Sequence, residues 1–339
     1  MSRDIGVVLF NLGGPERLDD VRPFLYNFFC QPEILRVRSE RLRKLLAWLI
    51  STMRYKKSMG YYALIGGGSP LRRITEAQAH ALEVELERRK IRARIYVAMR
   101  CWRPFTEEVI EEIERDQIKH LICLPLYPQF SFSTTYSSIK HMVKLMEERG
   151  GMRQVRRHYI TSWHSHPGYI DALVKSIETA LADLPDRGPK ATHIIFSAHS
   201  IPESYVSDGD PYYEHTKATV AETVKRLRPG SLTHLSFQSK VGPVKWLGPM
   251  TEQVIWQLGR RGVKQLVLVP VSFVSDHIET LYELDILYRQ VAKDAGIEHF
   301  RRAAAFNCDP VFISALADLV EDKLVRIGYF KHVKPLAKI

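Results

Sequence analysis

The feature that most constrains the fold is an internal repeat. The stretch that begins at Pro104 recurs in the stretch that begins at Pro249, 145 positions later, with Thr, Glu, Val, Ile, Arg, Lys, Leu and Pro in register. Each copy predicts an amphipathic helix, a tight turn, an apolar strand and a loop after the strand's end. A weaker match sets residues 7–16 over residues 194–203, where both copies end in Pro-Glu. The two matches indicate a duplicated chain.

Further strand-like segments span residues 93–99, 233–237 and 300–306, with helical periodicity between them. Strands that alternate with helices predict parallel sheets covered by helices on both faces. We therefore predict an α/β fold with two similar doubly wound domains that face each other across a cleft. Proline and glycine at Pro167-Gly168 and in residues 185–189 place the domain boundary near residues 155–165.

The first half carries an insertion. The two matches lie 187 and 145 positions apart, so 187 − 145 = 42 extra residues fall between Glu16 and Pro104. The candidate insertion is about residues 23–70, which is rich in aromatic residues and then in arginine and lysine, with an apolar helical face beside them. Such a segment can contact an anionic membrane surface, line an apolar pocket, or simply pack in a core.

Residues 266–285 run from an apolar strand into a segment with a histidine and several acids. Asp276, Glu279 and Glu283 recur at i, i+3 and i+7, which predicts three carboxyl groups on one face of a helix. Such a row repels itself unless a metal ion, a travelling proton or water lies beside it. A solvated acidic face is the alternative.

His199 follows the apolar strand that starts near Ile194. Ligands of open parallel sheets bind at the carboxyl ends of the strands, so we expect His199 to face the acidic segment across the cleft. An imidazole titrates near neutral pH and suits proton abstraction. A single histidine after a strand can also be purely structural.

Other segments give weaker signals. The loop at residues 65–70, which contains Ser69, could hold an anion through backbone N–H groups, although it lacks the ending of a P-loop. The hydroxyl-rich loop at residues 127–138 could cap a helix. Trp246 and Phe273 could form an apolar floor for a flat ligand or belong to a core. No zinc-peptidase or serine-hydrolase motif is present.

Composition narrows the setting. The formal charge of +11 favours anionic partners, yet the sequence has no zinc-finger spacing, basic heptad helix or RNA-binding signature, so we predict no nucleic-acid partner. The four cysteines form no C-x-x-C pair, which predicts a reducing cytoplasm. The N-terminus does not match a signal peptide, and no apolar run is long enough for a membrane span.

Nearly the whole chain resembles the ferrochelatases, which insert ferrous iron into a porphyrin to make haem. The resemblance is carried by six segments: residues 10–15, 65–70, 126–129, 196–202, 236–243 and 275–285. It implies two Rossmann-like domains. The first comprises residues 1–158 plus 305–330, because the C-terminal helix crosses back to it, and includes the insertion as a hydrophobic lip. The second comprises residues 159–304.

The resemblance also implies site residues. His199 and Glu279 are the implied catalytic and metal-contacting pair, and Asp276 and Glu283 continue from them as a path for protons or metal. Five further residues match positions that line the macrocycle site: Leu12, Arg100, Trp246, Phe273 and His277. Four more match positions that hold the propionates: Tyr62, Ser69, Arg54 and Lys57. Residues 24–57 are the expected surface for peripheral membrane contact.

The sequence departs from the family at informative positions. Phe132 stands where relatives with an iron–sulfur cluster have a cysteine, and the C-terminus lacks their cysteine group, so we expect no cluster and no tightly bound cofactor. Met53 replaces a propionate-binding arginine of some relatives, and Leu12 replaces a Tyr or Met. The full apolar lip favours protoporphyrin IX over coproporphyrin III. Insertion of cobalt or nickel, or a non-catalytic porphyrin or haem carrier, are the alternatives, and the sequence leaves monomer or homodimer open.

Overall fold

The computed structural model describes residues 4–185, 192–227, 230, 232–242 and 244–332. It contains two four-stranded sheets in which every pair of neighbouring strands is parallel. The first sheet has the order β2-β1-β3-β4 and the second β6-β5-β7-β8. The strands are β1 Ile5–Asn11, β2 Ala93–Met99, β3 His120–Pro125, β4 Arg156–Tyr159, β5 Thr192–His199, β6 Leu232–Gln238, β7 Gln265–Pro270 and β8 His299–Arg302.

Helices connect the strands in both halves. They are α1 Val21–Phe29, α2 Glu40–Leu64, α3 Leu71–Arg88, α4 Thr106–Arg115, α5 Ser137–Glu148, α6 Pro167–Ala182, α7 Glu203–Ser207, α8 Tyr212–Arg226, α9 Thr251–Arg260, α10 Tyr288–Asp294, α11 Pro310–Arg326 and α12 Tyr329–His332. Two π-helical segments, Phe132–Tyr136 and Glu279–Leu287, follow β3 and β7. Two short 3-10 turns, Leu18–Asp20 and Gly150–Gln154, complete the elements.

The repeat read from the sequence is confirmed by the structure. Helix α9 begins and ends 145 residues after α4, and β7 begins and ends 145 residues after β3. The strand orders of the two sheets correspond position by position. The predicted fold, two α/β halves of the same doubly wound topology, is therefore confirmed.

Alternate side chains of the central strands enter different cores. Val7 and Leu9 of β1 belong to a large apolar cluster that also contains Ile194 and Phe196 of β5 and residues of α3, α6 and α11. Val8 of β1 instead packs in a second cluster with α4 and α5. Burial on both faces explains why the central strands read as continuous apolar runs rather than as alternating patterns.

The insertion forms helices α1 and α2, which pack against each other. The Ser39 side chain caps α2 by accepting a hydrogen bond from the Leu42 amide at 3.4 Å. Several apolar side chains of α2 remain exposed, and Met53 retains 74% of its accessible surface. None of the helices in the described part of the chain is long and apolar enough to span a bilayer.

Helix α11, near the C-terminus, contacts both halves of the molecule. It packs against both α3 and α6. The Arg89 guanidinium, just after α3, contacts Asp318 at 2.5 Å and Glu321 at 3.0 Å on α11. Contacts to both halves are consistent with a helix that crosses back, while the assigned domain boundaries remain predictions.

One expectation about local structure is wrong, and one strand was missed. The helix expected to carry Asp276, Glu279 and Glu283 begins only after residue 277, and residues 279–287 are π-helical. Strand β4 was not predicted, because its four residues are polar and lie at the edge of the sheet, where burial imposes no apolar pattern.

Candidate functional site

A cavity of about 340 Å³ opens at the carboxyl ends of the strands of both sheets. The lip contributes apolar side chains to its wall: Phe24, Leu25, Phe28, Phe29 and Ile34. The second half contributes Val241, Phe273, Val274 and Ile278. A predominantly apolar wall with a few convergent polar groups is typical of a site for a small flat ligand.

Two polar groups of the wall follow neighbouring strands of the second sheet, β5 and β7. His199 is the last residue of the central strand β5, and Glu279 begins the π-helix that follows β7. The Nδ1 atom of His199 lies 2.9 Å from Oε2 of Glu279, within hydrogen-bonding distance. Both residues line the cavity. They therefore form a direct pair on the same wall, and the expectation that they face each other across the cleft is wrong, because β5 and β7 are adjacent strands of one sheet.

Electrostatics favour the ionised form of this pair. Burial by itself would lower the pKa of His199, but the negative charge and hydrogen bond of Glu279 outweigh it and raise that pKa. Burial would likewise raise the pKa of Glu279, and the charge and hydrogen bond of His199 reverse this and lower it. The His199 side chain keeps 38% of its accessible surface, which it presents to the cavity.

Glu283 extends the pair away from the cavity wall. Oε1 of Glu283 accepts hydrogen bonds from the Ser239 amide at 3.0 Å and from the Tyr288 hydroxyl at 2.9 Å. The Ser239 hydroxyl contacts Oε2 of both Glu279, at 3.2 Å, and Glu283. Burial and the charge of Glu279 raise the pKa of Glu283. The two glutamates thus differ in their tendency to hold a proton.

Asp276 is directed elsewhere. Its carboxyl group accepts hydrogen bonds from Thr280 at 2.8 Å and Asn307 at 2.9 Å, and it lies 3.3 Å from an Arg302 nitrogen. The residue precedes the π-helix, so the three acids do not share one helical face. Of the predicted acidic row, the structure brings only Glu279 and Glu283 together.

Several predicted porphyrin-binding residues line the cavity. Leu12, Arg54, Tyr62, Ser69, Phe273 and His277 do so in addition to His199 and Glu279. Nδ1 of His277 lies 3.1 Å from the Ser275 carbonyl, and burial lowers the pKa of this imidazole, so His277 is held neutral. Burial raises the pKa of the Tyr62 hydroxyl, which also stays neutral. His277 and Tyr62 are therefore neutral groups of the wall, whereas the His199 and Glu279 pair and the Arg54 guanidinium carry charge.

Three predicted residues do not line the cavity: Arg100, Trp246 and Lys57. Nε of Arg100 donates to the Ser137 hydroxyl at 3.2 Å. The buried indole nitrogen of Trp246 finds no hydrogen-bond partner among the described residues. Lys57 is exposed, with its ammonium group 5.8 Å from the centre of the Tyr61 ring. Their contact with a macrocycle remains a prediction.

The lip is fastened to the second half at two places that the sequence did not reveal. The Arg36 guanidinium lies 3.7 Å from the centre of the Tyr205 ring and contacts Asp208 at 2.5 Å. The rings of Tyr61 on α2 and Tyr282 on the π-helix stack with centroids 4.2 Å apart. We call the Arg36, Tyr205 and Asp208 contact the lip clasp. These partners are distant in sequence, so no spacing pattern could have identified them.

Ser239 was also not identified from the sequence, although its position after a strand could have pointed to it. It follows the end of β6 directly, at the same sheet edge as His199, and the rule that sites form at strand ends would have selected it. Within the described residues no cluster of three or more His, Cys, Asp or Glu side chains is arranged to hold a metal ion. A metal that meets this site would therefore find the His199 and Glu279 pair rather than a complete protein ligand set.

Comparisons with known proteins cover nearly the whole chain. The model of the ferrochelatase family matches residues 4–324. The ferrochelatase of Gloeothece citriformis is 49% identical over 327 residues, covering 96% of this chain and 84% of the relative. That of Thermosynechococcus vestitus is 52% identical over 325 residues, covering 96% of this chain and 83% of the relative.

Solved structures show the same fold at low identity. SirB from Bacillus subtilis with Fe3+ superposes with a TM-score of 0.58 at 11% identity, covering 97% of this chain and 98% of that one. A sirohydrochlorin chelatase SirB in complex with cobalt, from Bacillus subtilis subspecies spizizenii, gives 0.53 at 10% identity with the same coverage. The chain belongs to the ferrochelatase family, whose members are metal-chelating lyases that insert a metal into a porphyrin in haem biosynthesis.

Proposed function

We propose that this protein inserts ferrous iron into protoporphyrin IX, which yields protohaem and two protons. The observation that carries the proposal is the hydrogen-bonded pair of His199 and Glu279 on the wall of an apolar cavity. The reaction needs a proton acceptor, a place for a divalent cation and a surface that holds a flat apolar ring. The cavity offers all three within one site.

His199 is the proposed proton acceptor. Because its Nδ1 atom is engaged with Glu279, Nε2 is the nitrogen left to meet a pyrrole N–H in the cavity. The ring must be neutral at that moment, and the carboxylate of Glu279 then stabilises the imidazolium that forms. Glu279 is also the proposed metal contact, since carboxylate oxygen and imidazole nitrogen both accept divalent ions.

Glu283 is the group proposed to receive the proton from the His199 and Glu279 pair. Its raised pKa, caused by burial and by the charge of Glu279, means that it holds a proton more readily than its neighbour. Asp276 is tied to Arg302 and Asn307 instead, so the proposed path runs through Glu283 and not through Asp276. Apolar walls from the lip and from Phe273 would grip the macrocycle.

The decisive experiment supplies both substrates. Purified protein is incubated with protoporphyrin IX and either zinc ion or, without oxygen, ferrous ion, and the Soret and visible bands are followed. Coproporphyrin III is assayed in parallel, because the full apolar lip supports a preference for the more apolar protoporphyrin. A higher kcat/KM for coproporphyrin III would overturn the proposed substrate.

The role of the imidazole is tested by His199→Ala. General acid–base groups typically contribute about 10²- to 10⁴-fold, so we expect kcat to fall by about 100-fold or more. His80→Ala is the matched control, because His80 is exposed on α3. Normal turnover in His199→Ala would remove the base from this mechanism. The alternative function, a porphyrin carrier that does no chemistry, predicts that Glu279→Gln leaves function unaffected, whereas the proposed enzyme should lose activity.

The exposed face of α2 supports a peripheral membrane contact as part of the proposal. Its apolar side chains lie beside basic residues of the same helix, a composition typical of helices that rest on anionic lipid. The exposed apolar residues are Leu42, Leu45, Trp48, Leu49 and Met53. Co-sedimentation with vesicles that contain anionic lipid should decrease in Trp48→Ser.

A further inference from the structure

Ser239 has a backbone conformation that its position does not explain. Its φ angle is +65°, in the left-handed region that L-residues other than glycine and asparagine rarely adopt. Two other residues with positive φ, Lys90 and Gln117, follow the C-termini of α3 and α4, where this conformation commonly ends a helix. Ser239 instead follows the end of strand β6. Local strain of this kind persists only when surrounding contacts enforce it.

Most of the contacts that enforce it involve the two glutamates, and one more joins the Ser239 hydroxyl to the side-chain amide of Gln238, which donates to it at 3.4 Å. The Ser239 amide donates to Oε1 of Glu283 at 3.0 Å, and the hydroxyl reaches Oε2 of both Glu279, at 3.2 Å, and Glu283. The left-handed turn is what aims the amide and the hydroxyl of one residue at the same pair of carboxyl groups. Gln238, the residue before it, adds a hydrogen bond to Glu283 at 3.3 Å.

The bridge also acts across elements. Glu279 and Glu283 lie on the π-helix that follows β7, whereas Ser239 lies beyond β6 on the far side of the central strand β5. His199 at the end of β5 contacts Glu279 from a third direction. The carboxyl group of Glu279 is therefore fixed between one partner from β5 and one from the β6 end.

We propose that Ser239 is a positioning residue for metal insertion: its hydroxyl bridges Glu279 and Glu283 and holds the Glu279 carboxyl group in register with His199 at the cavity wall. This inference rests on the proposed function for its kinetic consequence, but not for its structural one. Without the hydroxyl, the Glu279 side chain loses one of its two fixed partners and occupies additional rotamers.

Two substitutions separate the hydroxyl from the backbone. Ser239→Ala and Ser239→Gly both remove the hydroxyl, but glycine adopts a positive φ freely and alanine does not. If Ser239 served only the turn, Ser239→Gly would be at least as active as the wild type. If the hydroxyl positions Glu279, both variants lose kcat by ten-fold or more, while the Kd for protoporphyrin IX, measured by fluorescence quenching, changes by less than two-fold.

Lys90→Gly is the matched control, because Lys90 has a φ angle of +64° and is exposed far along the chain from the site. It should release similar strain and leave kcat unchanged. A kcat within two-fold of the wild type in Ser239→Gly would overturn the inference.

A crystal structure of Ser239→Gly gives a readout that does not depend on activity. We expect the Glu279 carboxyl group to leave its position beside His199 or to be seen in more than one conformation. An unmoved, single Glu279 conformer would overturn the positioning role. Absence of metal insertion by the wild type would overturn the proposed function instead, and the crystal structure would still decide the role of Ser239.

Discussion

The lip clasp should control how fast a porphyrin enters and leaves the cavity. Replacing Arg36 by alanine removes the cation–π contact with Tyr205 and the ion pair with Asp208. An exposed cation–π contact contributes about 0.5–1 kcal/mol. The ion pair is also exposed, with 43% and 53% of the two side chains accessible, so solvent screening limits it to about 0.2–1 kcal/mol. Together the loss is about 0.7–2 kcal/mol, which corresponds to roughly 3- to 30-fold in an equilibrium constant.

The assay is stopped-flow fluorescence of protoporphyrin IX as it dissociates from the protein. The porphyrin should dissociate from Arg36→Ala roughly 3- to 30-fold faster than from the wild type if the clasp opens before release. Arg36→Lys keeps the charge but loses the planar stack, so its rate should be intermediate. Arg38→Ala is the control, because Arg38 is exposed on the same segment. A dissociation rate of Arg36→Ala within two-fold of the wild type would refute the reasoning.

Three further predictions concern the site and its support. In Glu279→Gln the charge that raises the pKa of His199 is gone and burial lowers that pKa, so the rising limb of kcat/KM against pH should move to lower pH; an unmoved limb would contradict this assignment. In Gly68→Ala the new Cβ would lie 2.1 Å from the Glu16 carbonyl oxygen, so Tm should fall and KM for porphyrin should rise, whereas Gly60→Ala, with open space around it in α2, should not lower Tm. The purified protein should contain no acid-labile sulfide and show no iron–sulfur absorption; a visible iron–sulfur spectrum would disprove that expectation.

The large features of the fold were predictable because the sequence contains the same helix–strand unit twice. Apolar strands buried on both faces, each preceded by an amphipathic helix, specify a parallel sheet locally, and the repeat specifies that there are two such sheets. Strand β4 escaped prediction since Arg156 and Arg157 begin a short edge strand that burial does not pattern.

The candidate site was predictable only in part, because Arg100, Trp246 and Lys57 do not line the cavity and Ser239 was not selected from the sequence. His199 ends β5 and Glu279 lies in the segment after β7, and these positions made both residues candidates that the family resemblance then paired. Their direct contact depends on β5 and β7 being neighbours, which is a property of strand order and not of either segment. Asp276 lies before the helical segment, so the helical spacing that grouped it with Glu279 and Glu283 does not apply to it.

The corresponding loops after β3 and β7 have diverged in chemistry. The first presents the hydroxyl-bearing side chains Ser131, Ser133 and Thr134 to the cavity, whereas the second presents His277 and Glu279. In a symmetric dimer of one such half, the loops on the two sides of the cavity would be identical, and a mutation in one would appear in both. Fusion of the two copies into one chain removes that restriction, so the loop after β7 can carry ionisable side chains while the loop after β3 carries hydroxyl groups. Exchanging these loops between halves would ask whether the scaffold itself distinguishes its two sides.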